Sequence, residues 1–252
     1  MSGRRRGAAT GAGHRRTEAA LRRRFRVVDT PVDLSGRTLS ILHPASAEDL
    51  IDEREFERDE RLPYWAELWP SARVLAERVL RLDGAGQRLL ELGCGAGLVA
   101  ASAALSGFRV CATDYYDDAM RFARVNAWRN AGASIETELI DWRAPTALRR
   151  RRRFDVVVAS DVLYERPYGA LVATVLAATL APHGIGLIAD PGRVGREAFV
   201  EAINRAGLQV AHRSNVRYVD GEIRQTITIF EIAMRGDATH GTPGGRPAAS
   251  NR

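Results

Sequence analysis

Residues 88–100 read "RLLELGCGAGLVA": an apolar run that stops at Gly93, Gly95 and Gly97 and resumes at Leu98-Val99-Ala100. Leu89, Leu90 and Leu92 give the continuous hydrophobicity of a strand buried on both faces. The apolar residues after Gly97 suit the start of a buried helix. A strand that feeds a helix through alternate glycines is built for a close approach of its backbone to a ligand.

The same alternation continues downstream. Strand-like "RVCAT" (109–113) precedes a helical pattern over 116–131, and "SIETELI" (134–140) follows. "FDVVVAS" (154–160) precedes a helix over 167–180, and "GIGLIAD" (184–190) precedes one over 194–206. The last apolar stretch, "LQVAHRSNVRYVDGEIRQTITIFEI", reads as two long strands around the turn signal Asp220-Gly221. Continuous apolar strands alternating with helices predict an α/β fold, a doubly wound, mostly parallel sheet closed by an antiparallel hairpin. Upstream, "FRVVDTPVDLSGRTLSILHP" predicts a hairpin turning at Asp33–Gly36. Residues 46–82 read as mostly helical, broken by Pro63 and Pro70, with a helix starting at Pro70-Ser71. The expected organisation is a disordered arginine-rich arm (1–24) and one domain (25–234, its first part to residue 86 an N-terminal extension). A disordered tail (235–252) follows.

Of the 252 residues, 45% are hydrophobic and 27% charged, enough for one large core. No apolar run is long enough to span a membrane. The start has no apolar segment of a secretory signal. It is rich in arginine and poor in acids, as mitochondrial transit peptides are, but also poor in serine. Lysine is absent, so all 37 basic residues are arginine. Residues 1–24 hold eight arginines and one glutamate, which leaves the rest of the chain almost neutral. That balance argues against nucleic acid as a partner of the domain, and Arg149–Arg153 read as an exposed loop. Cys94 and Cys111 form neither a disulfide framework nor a metal spacing, and the five histidines are scattered. No metal is expected, and a reducing, cytoplasmic setting fits, or the mitochondrial matrix if the start is a transit peptide.

The glycine loop lies where open α/β sheets bind ligands, beyond the carboxyl end of a strand. A dinucleotide fingerprint needs G-x-G-x-x-G for a pyrophosphate on a helix N-terminus. Here the spacing is G-x-G-x-G, Leu98 takes the place of the third glycine, and Glu91 puts a carboxylate beside the loop. A negative charge there repels a pyrophosphate and attracts a ligand with an amino group.

"ELGCGAG", with Glu91, Gly93, Gly95 and Gly97, resembles the first motif of the class I, seven-strand S-adenosyl-L-methionine-dependent methyltransferases. The resemblance implies a seven-stranded Rossmann-like sheet. It implies that Asp114, ending "CATD", meets the cofactor's ribose, and that Asp141 and Trp142 in "IDW" flank its adenine, with Ser160 nearby. "LPYWAELWPSARVLA" (62–76) resembles the W-x-x-x-W-P segment of a protein-lysine methyltransferase branch. That branch includes the enzyme acting on the electron transfer flavoprotein β-subunit. The likeness extends to "ASDVLYE", with Asp161 and Tyr164, and to "LIADPGR", with Asp190 and Arg193, and covers roughly residues 60–232. It implies N-methylation of a lysine on an acceptor protein; separately, the chain is expected to be a monomer. Asp161 and Tyr164 are then the catalytic residues, Trp65, Asp190 and Arg193 add to the acceptor side, and Trp69 lies on the cofactor.

Each assignment has a structural alternative. Asp161 fits a cap of the helix near Pro167, Trp65 and Trp69 fit core anchors, and Asp190 with Arg193 fits an ion pair. A small amine such as a pyridine, a nucleic acid lacking the usual N-P-P-Y signature, and a non-catalytic binding domain are the competing functions.

Overall fold

The computed structural model describes residues 3–50, 63–145 and 153–236. The described core is a seven-stranded sheet sandwiched by helices. Its strands are β3 (Arg88–Leu92), β4 (Arg109–Asp114), β5 (Glu136–Leu139), β6 (Phe154–Ser160), β7 (Leu180–Asp190), β8 (Leu208–Asp220) and β9 (Ile223–Met234). Their spatial order is β5-β4-β3-β6-β7-β9-β8. β3 through β7 run parallel, and β9 is antiparallel to both of its neighbours, as the sequence pattern predicts. The order reverses between β3 and β6, so the ends of those two strands open a crevice.

The helices of this core are α2 (Pro70–Leu80), α3 (Leu98–Leu105), α4 (Asp117–Ala131), α5 (Arg166–Thr179) and α6 (Arg196–Arg205). α3 is buried nearly all round, which its sequence LVAASAAL dictates. α2 begins with Pro70 at its first position, where the missing N–H costs nothing. β5 is shorter than the apolar pattern suggests, and β7 begins four residues earlier than expected. Residues 48–50 and 64–66 form single 3₁₀ turns; the helical pattern expected over 51–62 lies outside the described residues, as do 146–152 and 237–252.

The N-terminal hairpin pairs β1 (Val27–Leu34) with β2 (Arg37–Pro44). Its two-residue turn, Ser35-Gly36, has positive φ at both positions (47° and 76°), the twist that favours tight hairpins. Asn126 on α4 fixes the hairpin to the core. Its side-chain oxygen accepts from Leu42 N, and its amide donates to Leu42 O and to Ala96 O, each at 2.8 Å.

One expectation is overturned. Residues 3–24, read from composition as a disordered arm, form a helix, α1 (Gly3–Arg24), docked on α4. Leu21 is 2% exposed among Leu42, Phe122 and Val125. The His14 ring stacks on Trp128 at 5.0 Å. Arg22 pairs with Glu18 and Asp29, and Arg24 with Asp118. Exposed pairs of this kind add little each; the apolar contact does most to hold a helix that glycines weaken. Leu21→Ala should therefore destabilise the protein by about 2–4 kcal/mol in urea unfolding. A change indistinguishable from zero would mean that the arm does not dock.

Candidate active site

The strand ends converge on a cavity of ≈ 660 Å³, bounded by the segment Tyr64–Trp69, the glycine loop, and the residues after β4, β5 and β6. All three glycines have positive φ (71°, 50° and 83°). For two of them the reason differs from the sequence expectation of close approach to a ligand. A Cβ on Gly97 would come within 2.4 Å of Ala123 Cα on α4, and one on Gly95 within 2.9 Å of the Trp65 carbonyl. Those two positions are glycine because protein packs there. A Cβ on Gly93 would point between Val162 and Trp142, both of which line the cavity.

Two carboxylates flank this loop. Asp114 ends β4 and accepts from Gly95 N (2.9 Å) and Tyr116 N (3.1 Å), so it shapes the loop as well as facing the cavity. Its pKa is raised by burial. Glu91 is 1% exposed, and its Oε2 has no hydrogen-bond partner. Burial, then the charge of Asp114, pushes the Glu91 carboxyl well above the usual carboxylate range. Asp141 lines the cavity at its rim, clasped by Arg143. Trp142 meets Tyr168 edge to face at 5.7 Å, and Ser160 lines the cavity at the end of β6.

On the other side, Asp161 sits at φ 58°, a left-handed conformation unusual for a side chain larger than glycine. The residue at the N-cap of α5 is Glu165, so Asp161 does not cap that helix. Asp161 Oδ1 accepts from Arg193 Nε at 2.6 Å, while Oδ2 is buried with no partner. The Arg193 guanidinium lies 5.3 Å from the Trp69 ring centroid. Tyr64 meets Trp69 and Tyr164 edge-on, and Tyr164 meets Tyr168 at 4.9 Å. Burial, with Tyr168 second, drives the Tyr164 hydroxyl far above its ordinary pKa, so it stays a hydrogen-bond donor.

Two sequence readings need correction. Asp190 does not line the cavity: it is fully buried beneath it, paired with Arg196 Nε at 2.6 Å. Arg193 is ion-paired with Asp161 and not with Asp190, which takes only its backbone N–H at 3.3 Å. The two tryptophans of the cavity lining have different neighbours. Trp65 lies at the glycine loop with its ring against Tyr116 and Phe122, whereas Trp69 lies against Arg193 and Tyr64. The sequence reading also missed Tyr64 and Tyr168. Tyr64 adjoins the recognised tryptophan segment, and Tyr168 lies in the first turn of α5, just after Tyr164.

The unpartnered Glu91 makes a pH prediction that needs no ligand. A folded-state pKa above the unfolded value means that folding loses stability as pH rises from about 4.5 toward the raised value. The melting temperature of the wild type should fall across that window more steeply than that of Glu91→Gln. Parallel pH dependences would show that Glu91 is not buried in this way.

Among the described residues, no cluster of metal-ligating side chains occurs, and no helix is long and apolar enough to cross a membrane. Protein N-lysine methyltransferase METTL21A of Danio rerio is 30% identical over 146 residues, 54% of this chain and 66% of that protein. Electron transfer flavoprotein beta subunit lysine methyltransferase of Xenopus laevis is 31% identical over 136 residues, 52% of this chain and 53% of that protein. The chain thus spans between about half and two thirds of the length of these relatives. The SAM-dependent methyltransferase from Agrobacterium tumefaciens shares the fold, with a TM-score of 0.55 at 15% identity over 82% of this chain and 70% of that one. Residues 64–221, more than half of the chain, match the methyltransferase-domain family, and this protein belongs to that family.

Proposed function

We propose that this protein transfers a methyl group from S-adenosyl-L-methionine to a lysine ε-amino group of an acceptor protein. The observation that carries the reading is Asp161 Oδ2, a buried carboxylate oxygen without a partner, at a cavity wall made by Tyr64, Trp69 and Tyr164. Such an atom is costly until a donor arrives, and an amine supplies one. The aromatic faces suit both a cation and the methylene stem behind it. The two relatives named above are lysine methyltransferases, which supports the same acceptor.

The residues on the opposite wall fit the cofactor. Glu91, with its own unpartnered oxygen, suits the α-ammonium group, and Asp114 suits the ribose hydroxyls. Asp141 and Trp142 suit the adenine. Gly93 leaves room beside the ring of Trp142, Gly95 and Gly97 hold the loop, and Ser160 and Trp65 complete this side. Trp69 passes to the acceptor side with Asp161, Tyr164 and Arg193. The cofactor supplies a methyl group already activated on a sulfonium. The protein's task is to align an amine with it and to exclude alternatives. Asp161 accepts one N–H of the amine at Oδ2, which turns the nitrogen lone pair toward the methyl group. The hydroxyl of Tyr164, held as a donor, cannot serve as a base.

The test is transfer of labelled methyl from S-adenosyl-L-methionine into a lysate of the source organism, resolved by size. Asp161→Asn should lose transfer into protein by about 100-fold or more while binding the cofactor nearly as well as wild type. Since the chain has no lysine, its own side chains cannot supply the labelled lysine. Full transfer by Asp161→Asn would defeat the assignment, and label confined to small molecules would replace the protein acceptor by a metabolite amine.

A further inference from the structure

We infer that Arg193 keeps the bound acceptor amine neutral and nucleophilic by placing a fixed positive charge beside Asp161, without touching the amine. The inference rests on the amine-transfer reading above and answers an electrostatic conflict in it. Methyl transfer uses the nitrogen lone pair, yet a free lysine amine, with a pKa of about 10.4, is almost wholly protonated at neutral pH. A bare carboxylate beside the amine would make matters worse, since an opposite charge favours the ammonium form.

The cavity is rich in such carboxylates. Glu67, Glu91, Asp114, Asp141 and Glu165 line it together with Asp161. The other titratable groups that face it are the phenols of Tyr64, Tyr115, Tyr116, Tyr164 and Tyr168 and the thiol of Cys94, none of which can carry a positive charge. Among the described residues, Arg193 is the only cation of the lining.

Its placement is built. Gly195 N donates to Leu163 O at 2.9 Å, tying the arginine-bearing loop to the loop of Asp161. Arg193 N donates to Asp190 Oδ1, Arg196 N donates to Arg193 O (3.1 Å), and Asp190 is itself clamped by Arg196. From this pinned backbone the side chain reaches Asp161 Oδ1 and leaves Oδ2 open. An amine at Oδ2 therefore stands beside an ion pair of zero net charge. The repulsion from the guanidinium offsets the attraction of the carboxylate. A guanidinium suits this duty because it does not lose its proton in proteins.

The chemistry balances without a protein base. The amine releases its proton to water and binds neutral. The N–C bond then forms as the C–S bond breaks, the sulfonium becomes a thioether, and the positive charge appears on the methylated nitrogen. That product cation lies beside Asp161, and its proton again leaves to solvent.

The experiment uses N-α-acetyl-lysine amide carrying ¹³C at Cε, titrated into the full chain saturated with S-adenosylhomocysteine. No turnover occurs, and the absent sulfonium leaves protein charges alone to be read. The ¹³Cε shift against pH gives the pKa of the bound amine. Arg193→Gln should raise that pKa by about one unit or more over wild type, while Arg193→Lys, which retains the charge, should stay close to wild type. The Arg193 side chain is 36% exposed, so neither replacement opens a hole in the core. An unchanged pKa in Arg193→Gln, with binding still lost in Asp161→Asn, would overturn the role of Arg193 and leave the amine-transfer reading standing. Failure of the wild type to bind the lysine amide at any pH would overturn both.

Discussion

The loop after β3 is pressed against α4 so closely that the rest of the site follows from that contact. Gly97 meets the backbone of Ala123 with no room for a methyl group, and the buried amide of Asn126 holds the Ala96 carbonyl. The same amide holds both backbone groups of Leu42, so one side chain sets the glycine loop and the N-terminal hairpin in common register. Asp114 fixes the loop from the other side through Gly95 N. Buried polar groups satisfied in this way specify one arrangement, because any slip strands several of them at once.

Within that frame the cavity handles positive charge in two ways. Glu91 is left incomplete, its Oε2 buried without a partner and its pKa raised by burial. Asp161 is half complete, with one oxygen neutralised by Arg193 and the other open. The first arrangement rewards a cation that arrives charged. On the reading proposed above, the second tolerates a nitrogen that arrives neutral and acquires charge only as the reaction proceeds. The aromatic run from Trp69 through Tyr64, Tyr164 and Tyr168 to Trp142 joins the two regions by edge-to-face contacts.

The sheet was legible because buried parallel strands announce themselves as unbroken apolar runs, and "RLLEL" and "FDVVVAS" do so. The cavity wall was legible where a motif fixes a strand end, as at Asp114 and Asp161. Pairing was not. Asp161 and Arg193 lie 32 residues apart, and nothing in "DPGRVGR" (190–196), which offers Arg193 and Arg196 equally, tells which arginine turns toward which acid. Nor does a glycine reveal whether its missing side chain makes room for a ligand or for the protein's own backbone. The N-terminal helix escaped for a different reason: its glycines and arginines predict little local order, and its stability comes from Leu21 and His14 meeting a surface distant in sequence.

That helix changes what counts as the dispensable part of the molecule. A shortened protein starting at Phe25, the cut that the arginine-rich composition invites, would uncover Phe122 and Val125 on the outer face of α4 and Leu42 of the hairpin beside them. The inner face of the same helix is the wall against which the glycine loop rests. Trimming for expression would thus remove a buttress several residues behind the cavity, and the resulting protein would look like an inert enzyme when it was in truth a loosened one.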